Sequence, residues 1–185
     1  MTKNINASAS HAENLTYRHA EPQDAIVIAA LVNSAYRGDS SRLGWTTEAN
    51  LLEGARISPD GVYQLITAED TIILLCSRGV ELIGCVQLQK TDDGAYLGMF
   101  VVRPLEQGNG IGKQFMLTAE ALVQKLWGAQ KMWMTVITAR AELIAFYERR
   151  GYVRTGRLKP FPNDAEDHII LVENLQFEEL EKALS

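Results

Sequence analysis

Residues 96–113 read YLGMFVVRPLEQGNGIGK and join an apolar run to a glycine-rich turn. The run ends at Arg103-Pro104, glycines follow at positions 108, 110 and 112, and a long helical pattern begins there. Glycine lets the backbone approach a ligand, and the free N–H groups and dipole of a helix N-terminus attract an anion. The segment therefore predicts a strand, a turn and a helix start that together bind a phosphate.

Two common nucleotide-binding loops do not fit this spacing. A Walker loop requires glycine at position 107 and a hydroxyl residue at 114, where the chain has Gln107 and Gln114. A dinucleotide fingerprint that begins at Gly108 requires a further glycine where Lys113 stands. A strand-to-helix turn without any ligand stays open as the alternative.

Composition places the chain among single-domain globular proteins. It has 185 residues, of which 46% are hydrophobic and 22% charged. No apolar run approaches the roughly 18 residues of a membrane span, and the polar start MTKNINASASHAEN lacks the apolar core of a secretory signal. We therefore expect a cytoplasmic protein without a membrane partner, in which residues 1–14 form a disordered tail.

Charge is unevenly distributed along the chain. The net charge of −5 argues against a nucleic-acid partner. Residues 101–160, however, hold ten basic and four acidic side chains, and this basic region contains the glycine turn. A small polyanionic ligand at the turn explains the imbalance. We predict no metal site, because the histidines His11, His19 and His168 are isolated, and we expect Cys76 and Cys85 to be buried free thiols.

The periodicity of the chain predicts a mixed α/β (α+β) sheet in one domain over residues 15–175. Asp93-Gly94 is a hairpin signal, which favours an antiparallel meander at the centre of the sheet. Strands are predicted at 15–20, 71–77, 80–90, 95–103, 131–138, 152–158 and 168–173. Helices are predicted from Pro22, at 48–56, 59–68, 110–126 and 141–150, and at 176–184 within a terminal segment 176–185.

Two motifs resemble the GNAT superfamily of N-acetyltransferases. The spacing Gln107-x-x-Gly110-x-Gly112 is similar to the acyl-CoA loop of that superfamily. The segment RAELIAFYERRGY, residues 140–152, resembles its second signature, a helix with Leu/Phe-Tyr-Glu that ends at Gly-Phe/Tyr. The resemblance covers about residues 15–175. It implies a splayed, mostly antiparallel sheet of about seven strands flanked by helices, with acetyl-CoA as co-substrate and no metal.

The resemblance also implies a cofactor site. The pantetheine arm would pair with strand backbone at 100–102, and the pyrophosphate would bind backbone N–H groups at 108–113, with Arg103 and Lys113 adding charge. Arg140 stands where the family helix often begins with Asn. The expected cofactor-binding residues are Phe100, Val101, Val102, Arg103, Gln107, Gly108, Asn109, Gly110, Ile111, Gly112, Lys113 and Arg140.

Tyr147 matches the position of the family's general acid, although it can also merely pack against the cofactor. Some members of the family place a Glu base on the strand that corresponds to 95–103, but this strand carries no acidic residue, so Glu48 is our candidate general base. An equally open interpretation is that Glu48 complements the dipole of a helix over 48–56. The resemblance places the acceptor pocket between the first helices and the loop before the last strand. It thereby implies Tyr36, Arg37 and Trp45 as substrate-binding residues, with Arg42, Glu48, Phe161 and His168 completing the pocket wall.

These expectations favour an acetyl-CoA-dependent N-acetyltransferase that acts on the amine of a small molecule or an amino acid. A non-catalytic acyl-CoA-binding or regulatory module on the same fold is the main alternative, because a fold does not determine a function. A different nucleotide-binding protein is a weaker one. The terminal helix would offer a surface for a homodimer contact.

Overall fold

The computed structural model describes residues 15–162 and 168–185, so the tail predicted over 1–14 lies outside the described residues. The strands are β1 (Leu15–His19), β2 (Leu52–Gly54), β3 (Thr71–Arg78), β4 (Glu81–Thr91), β5 (Gly94–Val102), β6 (Lys131–Ile137), β7 (Val153–Pro160), β8 (His168–Ile170) and β9 (Gln176–Ala183). The helices are α1 (Ala25–Tyr36), α2 (Gly38–Ser41), α3 (Pro59–Thr67), α4 (Ile111–Trp127) and α5 (Ala141–Glu148), with 3-10 turns at Pro22–Asp24 and Pro104–Glu106.

Seven of these strands form one sheet in the order β1-β3-β4-β5-β6-β9-β7. Every neighbouring pair is antiparallel except β5 and β6, which run parallel. The short strands β2 and β8 form a separate antiparallel pair. The predicted mixed sheet of about seven mostly antiparallel strands is therefore confirmed.

Both faces of the sheet are covered by helices. Because side chains alternate along a strand, Ile73 and Leu75 of β3 join the core with α1 and α3, whereas Leu74 and Cys76 join the core with α4 and α5. Cys85 lies in the former core, so the two cysteines point to opposite faces. Both are buried free thiols, as predicted.

The predicted terminal helix is wrong. Residues 176–183 form β9, which lies between β6 and β7 and is an integral part of the domain. Glu178 and Glu179 are buried and bonded to Arg154 and Arg157 of β7. The helix-favouring sequence EELEK thus yields to strand pairing, and the basis for the expected dimer contact is lost.

The predicted helix over 48–56 is also absent. This part of the chain turns at 49–51 and then forms β2, which pairs with β8. Leu52 is fully buried against Ile137 and Leu175, and Gly54 has a φ of +95°, which ends any regular helix. The interpretation that Glu48 complements a helix dipole is therefore wrong.

Strands β5 and β6 separate soon after they meet. Their pairing is confined to Ala95 with Met132 and Tyr96 with Trp133. Beyond it, β5 carries an extra residue relative to β4 at a bulge around Met99, whose φ is +48°. The expected splayed sheet is present, and the candidate site occupies the gap.

Candidate active site

Two cavities meet in the gap between β5 and β6. The loop cavity, about 340 Å³, is bounded by the glycine turn and the start of α4. The inner cavity, about 400 Å³, extends between β5, β6 and β9 toward β2. Both are lined by Tyr36, Phe100, Arg140 and Leu143, which form the partition between them.

The glycine turn presents backbone to open space. Gly108 and Gly110 have φ values of +88° and +80°, and no atom lies within 4 Å of the side chain that each lacks. Only glycine adopts these conformations without strain. α4 begins directly afterwards at Ile111, so its first free N–H groups lie beside the turn.

The loop cavity has three cations without a carboxylate partner among the described residues. Lys113, Arg149 and Arg150 line it, and no ion pair joins any of them to a described carboxylate. The Arg150 guanidinium lies 3.3 Å from the centre of the Phe146 ring, and burial lowers its pKa. The resemblance missed the two arginines, although they stand side by side just before Gly151 in the second motif.

A short bridge segment, residues 44–48, spans the two cavities. The Gln107 side chain accepts from the Trp45 N–H at 2.9 Å and donates to Thr46 Oγ1 and the Val102 carbonyl, both at 2.8 Å. A Cβ on Gly44 would lie 2.6 Å from Gln107 Oε1, so the segment passes too close for a side chain there. The Gln107 amide therefore holds the bridge segment against the glycine turn.

Glu48, the last residue of the bridge segment, lies buried between two arginines. Arg140 Nη1 donates to Glu48 Oε1 at 2.7 Å, and Arg37 Nη1 donates to Oε2. The three side chains are only 7–9% exposed. Arg140 also donates to the Thr46 carbonyl at 2.5 Å. The network fixes both guanidinium groups on the wall of the inner cavity.

Tyr147 lies on the wall of the inner cavity and is 4% exposed. Its hydroxyl has no hydrogen-bond partner in the described part of the chain. Burial raises its pKa, so the phenol stays protonated across the physiological range. Tyr36, by contrast, donates its hydroxyl to the Phe100 carbonyl at 2.6 Å. Of these two cavity tyrosines, Tyr147 is the one with a proton available to a ligand.

The structure brings together most of the residues singled out from the sequence. The loop cavity is lined by Phe100, Val102, Gln107, Gly108, Gly110, Gly112, Lys113 and Arg140. Val101 and Ile111 are buried in the core, and Asn109 lines neither cavity. Arg103 lines neither, because it pairs with Glu81 and donates to the Leu82 carbonyl.

The three expected substrate residues divide between the cavities. Arg37 lines the inner cavity, and Tyr36 lines both. Trp45 lines only the loop cavity, where its ring packs on Phe146 with centroids 5.3 Å apart.

The sequence model of the acetyltransferase (GNAT) family matches residues 44–152, which is more than half of the chain. The protein belongs to this family. No curated protein sequence matches the chain. The matched range contains the bridge segment, the glycine turn and Tyr147.

Solved structures share the fold at low sequence identity. An IAA acetyltransferase from Bacillus cereus has a TM-score of 0.67 at 15% identity, covering 92% of this chain and 100% of its own. The ribosomal-protein-S18-alanine N-acetyltransferase from Escherichia coli has a TM-score of 0.69 at 15% identity, with coverages of 93% and 95%. A spermidine N-acetyltransferase from Vibrio cholerae, solved with CoA and spermine, has a TM-score of 0.66 at 20% identity, with coverages of 92% and 95%.

Two features are absent from residues 15–162 and 168–185. No helix there is long and apolar enough to cross a membrane. No cluster of three or more His, Cys, Asp or Glu side chains there has the arrangement of a metal site.

Proposed function

We propose that this GNAT-family protein is an acetyl-CoA-dependent N-acetyltransferase that acetylates the amine of a small molecule. The observation that carries the proposal is the meeting of the two cavities in the β5–β6 gap. One cavity offers phosphate-binding backbone and unpaired cations, and the other offers a protonated tyrosine. A solved relative of the same fold was crystallised with CoA, which supports the choice of co-substrate.

The loop cavity suits the phosphates of the co-substrate. The glycine turn and the first turn of α4 supply N–H donors, and Lys113, Arg149 and Arg150 supply positive charge. The Phe100 and Val102 carbonyls already accept from Tyr36 and Gln107. A carbonyl oxygen has two lone pairs, so each can still accept a second hydrogen bond from the pantetheine arm.

The bound thioester would supply an activated acetyl group. The neutral amine would attack its carbonyl carbon, so that the C–N bond forms, the C–S bond breaks with CoA leaving as the thiolate, and the proton that the nitrogen gives up passes to solvent water. An N–H group of β5 that is left unpaired by the splay would stabilise negative charge developing on the carbonyl oxygen. Tyr147 would donate a hydrogen bond to the departing thiolate. An ordinary thiol has a pKa of about 8.5, below that of the buried phenol, so a hydrogen bond rather than full proton transfer fits the pKa order.

Glu48 is the one carboxylate on the described wall of the inner cavity. Both of its oxygens already accept hydrogen bonds from guanidinium groups. A water molecule that relays a proton from the amine to Glu48 must compete with those bonds for a carboxylate oxygen. We therefore propose that Glu48 acts first as a positioning residue for Arg37 and Arg140. Its role as general base remains the second hypothesis, and the pH dependence of a Glu48→Gln variant separates the two.

Deleting one hydroxyl tests the proposal. Tyr147→Phe should lower kcat for amine acetylation by about 100-fold, because the departing thiolate loses a hydrogen-bond donor, while calorimetry shows unchanged affinity for acetyl-CoA. Tyr152→Phe is the matched control, because the Tyr152 hydroxyl is buried against Glu120 and Met132 outside both cavities. It should lower stability and leave kcat unchanged.

The alternative of a non-catalytic acyl-CoA-binding module makes a different prediction. Such a module would bind acetyl-CoA but release no CoA with any amine in a broad panel. At a concentration of 100 times Kd, acetyl-CoA should stabilise the protein by about 2.7 kcal/mol under either reading. Failure of acetyl-CoA to raise the melting temperature would refute both readings.

A further inference from the structure

The inner cavity has an excess of positive charge. Its described wall carries three guanidinium groups, Arg37, Arg56 and Arg140, and a single carboxylate, Glu48. Glu48 is already shared by Arg37 and Arg140, so it offers no free negative charge to a cationic ligand. The described part of the wall therefore presents a net positive potential to a ligand.

Arg56 is the guanidinium of this set that is free to bind. It is exposed at the cavity wall, and its side chain makes no hydrogen bond or ion pair within the described residues. Its backbone position is nonetheless fixed, because the Arg56 N–H donates to Asn33 Oδ1 at 2.6 Å and Asn33 Nδ2 donates to the Ile57 carbonyl at 2.9 Å. Arg56 is thus a cation at a defined point of the cavity, without a partner among residues 15–162 and 168–185.

Arg37 also has a hydrogen-bond donor at the cavity wall that a ligand could satisfy. Its side chain is 7% exposed, yet its Nε has no hydrogen-bond partner in the described part of the chain. Buried guanidinium donors are normally satisfied, because leaving one without a partner costs free energy. A small shift of Arg37 toward an anionic ligand would satisfy this donor.

The rest of the wall is apolar and aromatic. Leu52, Met134, Ile137, Phe161 and Phe177 line the cavity, whose volume of about 400 Å³ suits a small molecule. A ligand that matches this wall has an apolar body and an anionic group.

We propose that the acceptor is a small amine that carries a carboxylate, an amino acid with an apolar side chain. This inference rests on the proposed function. The carboxylate binds Arg56, the side chain packs on the apolar wall, and the amine faces Tyr147. A polyamine is disfavoured, since each of its ammonium groups would be repelled by the arginines.

The same positive potential assists the chemistry. A cationic environment disfavours an ammonium ion, so the pKa of the bound amine falls and the neutral nucleophile becomes more abundant. The bound amine therefore loses its proton to water more readily, and the reaction does not require a general base with free carboxylate oxygens. The carboxylate of the acceptor offsets the repulsion that the amine alone would experience.

Matched acceptors test this inference. The probes are L-phenylalanine, L-phenylalaninamide, phenethylamine and spermidine, with CoA release as the readout and L-methionine and L-methioninamide as a second pair. We expect kcat/KM for each amino acid to exceed that of its amide by at least tenfold. Preference for spermidine or phenethylamine over the amino acids would overturn the inference.

Variants at Arg56 locate the preference. Arg56→Ala should reduce the ratio of kcat/KM for the amino acid to kcat/KM for its amide to about threefold or less, mainly by raising KM for the amino acid. Arg56→Glu should reverse the preference in favour of the amide. Arg18→Ala is the control, because Arg18 lies outside the inner cavity and is already bonded to Asp24 at 2.7 Å. An unchanged ratio in Arg56→Ala would contradict the inference.

A binding readout separates this inference from the proposed function. Calorimetry compares L-phenylalanine with its amide, on the protein alone and on the protein saturated with CoA. Binding that depends on the carboxylate and on Arg56, without any acetyl transfer, would refute the transferase and support carboxylate recognition. Acetylation of amines with no preference for a carboxylate would support the transferase and refute carboxylate recognition.

Discussion

The two cavities of the site use arginine in opposite ways. In the loop cavity, Arg149 and Arg150 lie beside Lys113 without a described carboxylate partner, so their charge is available to phosphates. In the inner cavity, Arg37 and Arg140 are committed to Glu48 and form part of the wall. The loop-cavity arginines are thus left without a described carboxylate partner, whereas in the inner cavity Arg56 alone is left so and Arg37 and Arg140 are structural.

The difference follows from where the charges are buried. Breaking a buried ion pair by removing one partner is costly, because it leaves a charge without compensation. An exposed cation costs little to leave unpaired, and it gains energy only when an anion arrives. We therefore expect substitutions in the inner cavity to affect both stability and activity, and those in the loop cavity to affect mainly cofactor affinity.

Removal of the Glu48 charge should have the largest effect. Glu48→Gln leaves two buried guanidinium groups without their anion and should lower the free energy of unfolding by about 3 kcal/mol in urea titrations. KM for the acceptor should rise, whereas the Kd of acetyl-CoA should stay within about twofold.

Glu120→Gln is the matched control for that variant. Glu120 is also buried and accepts from Lys182 Nζ at 2.7 Å, and it lines neither cavity. We expect a comparable loss of stability and no change in the acceptor KM. If Glu48→Gln instead keeps KM but loses the acidic limb of the pH–rate profile, Glu48 is the general base.

A glycine substitution in the loop cavity should have the next largest effect. Gly110→Ala forces a side chain into a φ of +80°, at a cost of roughly 1–2 kcal/mol, directly where the phosphates would bind. Gly128→Ala imposes a similar backbone penalty at the other end of α4, where φ is +64°. Only Gly110→Ala should weaken acetyl-CoA binding, by about tenfold in calorimetry, and equal weakening by both would contradict a phosphate site at the turn.

Removal of one free cation should have a smaller effect that depends on salt. Arg149→Ala should raise the Kd of CoA by about threefold to fivefold in low salt, since exposed charge interactions contribute up to about 1 kcal/mol. The difference should shrink in 0.5 M salt because of screening. Lys125→Ala is the control and should have no effect at either salt concentration, because Lys125 is exposed on α4 and does not line the loop cavity.

The smallest expected effect is on stability, at an ion pair outside both cavities. Arg18 donates to both Asp24 oxygens, which lowers the Asp24 pKa, but Arg18 is 56% exposed. Because the pKa of Asp24 is lower in the folded state than the unfolded value of about 3.9, ionised Asp24 stabilises the fold at pH values above about 3.9. This stabilisation is lost as the pH falls through the folded-state pKa. Asp24→Asn should therefore cost about 0.5–1 kcal/mol at pH 7, after allowance for solvent screening, and progressively less as the pH falls below about 3.9.

The sequence by itself determined the features that depend on local conformation. The glycines at 108 and 110 predicted the turn, because a positive φ is a property of a single residue. Ser58 and Pro59 predicted the start of α3, where the Ser58 hydroxyl accepts from the Gly61 N–H at 3.1 Å, and Gly128 predicted the end of α4. Together with the two motifs, these signals were enough to predict the family fold and the position of Tyr147.

Only the tertiary structure decided the features that depend on distant partners. Glu48 is bonded to an arginine 11 residues away and to another 92 residues away, and neither bond leaves a periodic signal in the sequence. Segment 176–183 is a strand because β6 and β7 offer it hydrogen bonds on both sides and arginines for its glutamates. Pairing and burial between remote segments outweigh local propensity, and they also determine which arginines are left free to bind ligands.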